Sequence, residues 1–120
     1  MTSALRCPPT TVVELDLIKR VVSESSTQVI DCIAQGFVKY AEGGVKVAPV
    51  VHLGFPGDVP LKGGGSVCIK SGFVKDDDYY VIKIASGGSP GNEALGIPLN
   101  TGCMLVFSSR TTMLEAILLD

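Results

Sequence analysis

The chain changes character at Gly43-Gly44. Of its fourteen glycines only Gly36 lies before that point, and of its seven prolines only Pro8 and Pro9. Glycine raises the entropic cost of an ordered interior and proline removes a backbone donor, so the stretch from Thr10 to Glu42 is free to form helices. Beyond it the chain is cut into short segments between turns, and segments of that length satisfy their backbone best as strands. The fold class that follows is α+β, a helical hairpin at the N-terminus and then a mostly antiparallel sheet.

The periodicities agree. Thr11-Val12-Val13 predicts a short strand, and Asp16 is placed to cap a short helix through Leu17, Ile18, Val21 and Val22. Ser25 and Ser26 then offer an N-cap before Val29, Ile30, Ile33, Phe37, Val38 and Ala41, whose three- and four-residue spacing makes one apolar stripe, and Gly43-Gly44 stops the helix. Strands are predicted over Val45 to Phe55, with Pro49 at an edge or bulge, and over Val67 to Val74, Tyr79 to Ser86, Thr101 to Ser108 and Leu114 to Leu119. Ser109 to Thr112 reads as a hairpin turn.

Length and composition remove several functions. At 120 residues the chain is one domain, long enough to bury roughly two thirds of the surface its unfolded form exposes. A net charge of −2 with scattered lysines gives no footprint for nucleic acid or an anionic membrane. No apolar run reaches the length of a bilayer span, and Met1 to Pro9 carries no leader pattern, so the expected location is the cytosol. Cys7, Cys32, Cys68 and Cys103 are widely spaced, with His52 the single histidine, so no metal site is expected and the thiols read as buried and reduced.

Lys83 is the residue that calls for explanation. It lies in Tyr79-Tyr80-Val81-Ile82-Lys83-Ile84-Ala85, directly before the loop Ser86-Gly87-Gly88. An ammonium among such neighbours loses hydration at a cost of kcal/mol order unless an anion or hydrogen-bond acceptors compensate. If Asp76-Asp77 are the two loop residues of a hairpin, Lys70 falls directly opposite Lys83 on the same face. Like charges opposed across a ladder are tolerable where water, a side-chain carboxylate or a bound anion separates them, and an amino-acid carboxylate fits that place. The alternative is that both lysines snorkel to solvent over apolar neighbours.

The remaining motifs are weaker. The glycines of Ser86 to Asn92 and of Gly96 to Gly102 allow close backbone approach to a ligand, or simply tight turns. No group of them matches Gly-x-Gly-x-x-Gly or Gly-x-x-x-x-Gly-Lys-Ser/Thr, which argues against nucleotide binding by this chain. His52 reads as a partly buried structural imidazole, and Asp76-Asp77-Asp78 as a solvated turn.

Several of these segments together resemble the ornithine cyclodeaminase/mu-crystallin family. The resemblance is carried by Tyr80-Val81-Ile82-Lys83-Ile84-Ala85-Ser86-Gly87, Pro90-Gly91-Asn92, Gly96-Ile97-Pro98 and Ala116-Ile117-Leu118-Leu119-Asp120. Upstream, Phe37-Val38-Lys39-Tyr40-Ala41-Glu42-Gly43 and Pro49-Val50-Val51-His52-Leu53 occur in the family's order, so the match runs from about Val12 to Asp120. It implies an NAD(P)-dependent enzyme acting on an amino or imino acid, with Lys83 contacting the substrate carboxylate near the reacting centre. It further implies that Asn92 and the Gly96-Ile97-Pro98 loop line the pocket, and that the sheet joins a homodimer whose strands close into a barrel.

Two departures narrow what carries over. Val50 and Val51 stand where many relatives place a basic residue after the proline, and Lys70 is a candidate replacement for that charge. The family's dinucleotide-binding domain, which would hold NAD or NADP, is not in this sequence. The resemblance therefore implies a single substrate-binding and dimerisation domain over residues 1–120, truncated before the cofactor domain and without turnover or cofactor of its own. The competing expectation is a shortened, non-catalytic homologue that dimerises and binds a small carboxylate.

Overall fold

The computed structural model describes residues 4–120, so the first three residues of the Met1 to Pro9 stretch lie outside the described residues. The chain opens with β1 (Thr11–Val13), α1 (Leu15–Glu24) and α2 (Ser26–Ala41), continues through β2 (Val45–Val47), β3 (Val51–Leu53), β4 (Ser66–Val74) and β5 (Tyr79–Gly87), and then passes through the single turn α3 (Gly91–Ala94) to β6 (Asn100–Ser108) and β7 (Leu114–Leu119). The seven strands form one sheet in the order β1-β7-β6-β5-β4-β2, with β3 also paired to β4. All pairings are antiparallel except β1 with β7. The sheet is open, with β1 at one edge and β2 and β3 at the other.

Local chemistry explains most boundaries. The end of α2 is a Schellman motif: Gly43 takes φ +78°, its N–H bonds Tyr40 O at 3.1 Å, and Gly44 N–H reaches Lys39 O at 2.8 Å. The helix starts differ in detail from expectation. Glu14, not Asp16, occupies the cap position of α1, Asp16 sits in its first turn, and Ser25 caps α2 through its backbone carbonyl without a side-chain bond. Val45 to Phe55 is not one strand, because Pro49 cannot donate to a ladder and the segment breaks around it into β2 and β3. The β6–β7 hairpin carries a bulge that pairs Phe107 with Leu114 and Val106 with Ala116, leaving Glu115 as the extra residue.

The burial expectation is overturned. Among the described residues no hydrophobic side chain is buried, and Ile30 and Phe37 on α2 are 66% and 72% exposed. The accessible surface is 9370 Å², against about 6,200 Å² for a compact monomer of this mass. Folding thus removes about half of the unfolded chain's surface, not two thirds. The radius of gyration, 17.5 Å, likewise exceeds the roughly 14 Å of a compact 120-residue domain. The cause is layering: a single sheet flanked by two thin helices has no second layer to close over it.

The register defines two faces. One carries Val13, Leu118, Met104, Lys83 and Lys70 in a row across β1, β7, β6, β5 and β4. Helix α2 lies against that face at the β2–β4 corner, where Ile33, Gly36, Phe37 and Tyr40 border an open groove of about 320 Å³ with Val45 and Val74. The opposite face presents Ile69, Ile82, Ile84, Leu105, Ile117 and a stacked Tyr80–Phe107 pair whose ring centroids are 4.9 Å apart. Thiols and imidazole follow the same logic. Cys7 and Cys32 are exposed and Cys68 and Cys103 half-buried, all free, and His52 is exposed on β3 with its ring edge-on to Phe55 at 4.6 Å.

Candidate functional site

The β4–β5 hairpin positions the lysines. Its tip spans residues 75–78, wider than a two-residue loop but centred on the same point, with Asp76 at φ +64° and Asp77 N–H on Val74 O at 3.2 Å. Aspartate is among the few residues that accept a left-handed conformation at modest cost. The tip is tied to the end of α2 twice: Lys39 Nζ meets Asp77 Oδ1 at 2.9 Å, and Lys75 N–H donates to Gly44 O at 2.8 Å. With the tip held, the ladder runs without slippage from Phe73–Tyr80 to Ser66–Gly87, and Lys70 lies directly opposite Lys83.

Lys83 is half-buried and Lys70 exposed. On its other side Lys83 faces Met104, which in turn faces Leu118, so its lateral neighbours on β6 and β7 are apolar. Among the described residues the ion pair is Lys39–Asp77, and neither Lys70 nor Lys83 has a carboxylate partner. Two cationic groups thus share one patch of the sheet with no protein anion between them.

A cavity of about 410 Å³ opens next to this pair, lined by Ser66, Cys68, Ala85, Ser86, Gly87, Gly88, Asn100, Thr101 and Asp120. Its floor is low because Ala85 and Gly102 face each other across β5 and β6 and carry almost no side chain. Ala85 is two residues beyond Lys83, about 7 Å along the strand. Cys68 stands on one flank, paired with Ala85 and with His52 of β3, and Asp120 on the other, exchanging backbone bonds with Gly102.

The glycine loops close the end of the trough. Ser89 Oγ donates to Gly63 O at 2.8 Å, and a Cβ on Gly65 would come within 2.8 Å of Gly87 O, so the two loops approach at a distance only glycine permits. Asn92 lines a neighbouring cavity of about 250 Å³ with Gly63, Gly65, Ser86 and Leu99. Its Nδ2 is committed to Pro98 O at 2.9 Å, and its backbone carbonyl accepts from Leu95 and Ile97 N–H. Gly96, at φ +67°, is an exposed turn residue whose N–H bonds Glu93 O. Of the four residues singled out from the sequence, the structure brings together Lys70 and Lys83. It sets Asn92 in the adjoining cavity and Gly96 at the outer turn.

Sequence reading passed over Cys68, Thr101 and Asp120. The available signal was the pleat: Cys68 is two residues before Lys70, so once the hairpin register is drawn it must share the lysines' face. Among the described residues no cluster of three His, Cys, Asp or Glu side chains is placed to hold a metal ion. A dinucleotide does not fit either. The loop amides of Gly88, Asn92, Gly96 and Ile97 all bond carbonyls of their own loop region, and α3 spans only four residues, too short to present a helix N-terminus to a pyrophosphate.

No protein-family model matches the chain. It is similar to a protein named as a dehydrogenase from Rhizobium meliloti (strain 1021), 31% identical over 93 residues, covering 78% of this chain and 26% of that protein. It is also similar to a protein named as a cyclodeaminase from Sinorhizobium fredii (strain NBRC 101917 / NGR234), 34% identical over 76 residues, covering 63% of this chain and 21% of that one. The chain spans about a quarter of the length of these curated relatives.

Solved structures share the fold. An archaeal alanine dehydrogenase dimer with bound NAD superposes with a TM-score of 0.74 at 20% identity, over 92% of this chain and 31% of that one. The Δ1-pyrroline-2-carboxylate reductase of Thermococcus litoralis, in complex with NADH and L-proline, gives 0.76 at 17% identity, over 92% and 32%. The iminosuccinate reductase of Paracoccus denitrificans with NAD+ gives 0.67 at 18% identity, over 92% and 32%.

Proposed function

We propose that this chain is the substrate-binding and dimerising part of an NAD(P)-dependent oxidoreductase of amino or imino acids, of the ornithine cyclodeaminase type, and that Lys70 and Lys83 hold the substrate carboxylate. The observation that carries the reading is the lysine pair itself, directly opposed on one face, without a protein carboxylate, beside a trough sized for a small molecule. The similarity to a dehydrogenase and a cyclodeaminase, and the fold shared with enzymes solved with NAD+, NADH or L-proline, support it.

In this reading the chain contributes position and charge. A carboxylate bridging two ammoniums is fixed in direction, so the adjoining carbon is carried over the Ala85–Gly102 floor, and Lys83 favours negative charge near the reacting atoms. Hydride transfer belongs to a cofactor domain that these residues do not form, so the 120-residue chain by itself has no turnover. The apolar face is the dimer interface, where two sheets pair face to face toward a closed barrel. The surface excess over a compact monomer is about 3,000 Å² per chain, or about 6,000 Å² for two chains, enough to supply the total that large obligate dimer interfaces bury. The reading places the protein in the cytosol.

The test is equilibrium binding of pyruvate, L-alanine and L-ornithine to the chain and to its K83A variant by calorimetry, with sedimentation giving the oligomeric state. Millimolar or tighter binding that is lost in K83A, on a dimeric chain, supports the reading. Equal affinity in K83A contradicts it. Oxidation or reduction of these ligands with NAD(H) by the isolated chain contradicts the division of labour.

A further inference from the structure

The trough has a polarity of its own. Lys70 and Lys83 stand beyond its Cys68–Ala85 end and are not part of its lining. Among the described residues that line it, the single charged side chain is Asp120, while Ser66, Cys68, Ala85, Gly87 and Asn100 are uncharged. Asp120 and Gly102 exchange both backbone hydrogen bonds, at 3.1 and 3.2 Å, so they are directly opposed at the end of β7. That pairing puts the Asp120 side chain on the face that carries Gly102, Ala85 and Lys83. Among the described residues its carboxylate has no ion-pair partner.

Gly102 lies between the two charges. It is diagonal to Lys83, with Cα atoms about 8–9 Å apart, and directly opposite Asp120, with Cα atoms about 5.5 Å apart. A ligand held by its carboxylate on the lysines and extended over Ala85 brings the end of a chain of about five carbons above Gly102, beside the Asp120 carboxylate.

Resting on the carboxylate-site reading above, we propose that Asp120 is a specificity-determining residue that selects substrates by the charge at the far end of the side chain. A second carboxylate is repelled, a neutral end is accepted and an ammonium is favoured. The lysine pair cannot make this choice, because it holds the carboxylate that all these substrates share. Unit charges about 6 Å apart in a water-like dielectric change an affinity about threefold, and more where water is excluded.

L-glutamine, L-glutamate and L-ornithine are the probes, since their side chains are of similar length and end neutral, negative and positive. Their affinities for the 120-residue chain and for D120N are measured by calorimetry at low ionic strength, with glutamine as the reference. In D120N the affinity for glutamate relative to glutamine should rise about threefold or more, and that for ornithine relative to glutamine should fall by a similar factor. A structural effect of the substitution would move all three ligands together, so opposite movement is the signature of the charge. The main-chain oxygen of Asp120, which accepts from Gly102 N–H at 3.2 Å and from Thr101 Oγ1 at 3.3 Å, is the same in both chains. The substitution breaks no ion pair, circular dichroism checks that the fold is kept, and D120A should give the same two shifts. Ratios that stay unchanged in both variants, or that move in the same direction, overturn the proposal.

The K83A variant separates this claim from the one beneath it. If the ligands bind, weaken in K83A and keep their ratios in D120N, the role of Asp120 is refuted and the carboxylate site stands. If glutamine does not bind, or binds K83A equally well, the carboxylate site is refuted and the selection by Asp120 falls with it.

Discussion

Replacing Lys83 by methionine should make the protein more stable while abolishing the carboxylate site proposed above. Lys70 and Lys83 are directly opposed, so their Cβ atoms are about 5 Å apart, and their flexible stems splay the ammoniums to about 6 Å or more. At that distance two unit charges repel by about 0.7 kcal/mol in a water-like dielectric. A screening length of about 8 Å at 0.15 M salt halves this. Methionine keeps the stem that packs beside Met104 and removes the charge.

K83M is therefore expected to gain about 0.5–1 kcal/mol at low ionic strength, or about 2–4 °C in Tm for a domain of this size. Urea unfolding followed by circular dichroism, with every variant at the same protein concentration, gives the number. The double cycle with K70M isolates the repulsion, which should be about 0.7 kcal/mol at low salt and about half of that at 0.15 M. A loss of more than about 1 kcal/mol in K83M, or strict additivity of the two substitutions at low salt, would refute the reasoning, since either means that the ammonium already has an internal partner.

Other parts of the account are open to the same kind of test. Gly72→Ala places a Cβ 2.7 Å from the backbone oxygen of Lys46, and should cost about 1–3 kcal/mol in urea unfolding by forcing β2 off β4. Gly43→Ala, at φ +78°, should cost about 1–2 kcal/mol by the same measurement, whereas Gly36→Ala, whose Cβ meets nothing within 4 Å, should not destabilise α2. Asp77→Asn removes the Lys39 ion pair, whose side chains are 43% and 46% exposed, and should cost under about 1 kcal/mol and less still in high salt. Leu105→Lys, in the middle of the apolar face, should convert a dimer to monomer by sedimentation, and an unchanged dimer would move the interface elsewhere.

Much of the fold could be read from the residues because the governing signals are local. The apolar stripe of α2 and the glycine pair behind it are local, and so are the strands that became β4 to β7. The Lys70–Lys83 register followed from the centre of the hairpin, and survived a wider turn because the centre did not move. What failed depends on distant partners. Nothing near Thr11 announces a parallel pairing with Ala116, and Asp16 could not reveal that the cap and the helix start lie two residues earlier. The absent core had a signal that was not used: Val81, Ile82, Ile84 and Ala85 are apolar on both pleat phases, the pattern of a strand meant to be covered on both faces. At the site, the charge of Lys83 stood out against its neighbours, whereas Cys68 and Asp120 acquire meaning only from the strands beside them.

The central claim is that two opposed lysines bind a carboxylate, and lysine-selective 13C NMR at the ε-methylene tests it most directly. Titration with pyruvate, L-alanine or L-ornithine should shift the Lys70 and Lys83 signals together along one saturable curve. Lys62 in its loop and Lys75 at the hairpin tip should stay in place as internal controls. Equal drift of all four signals, or movement of Lys83 without Lys70, would contradict the account.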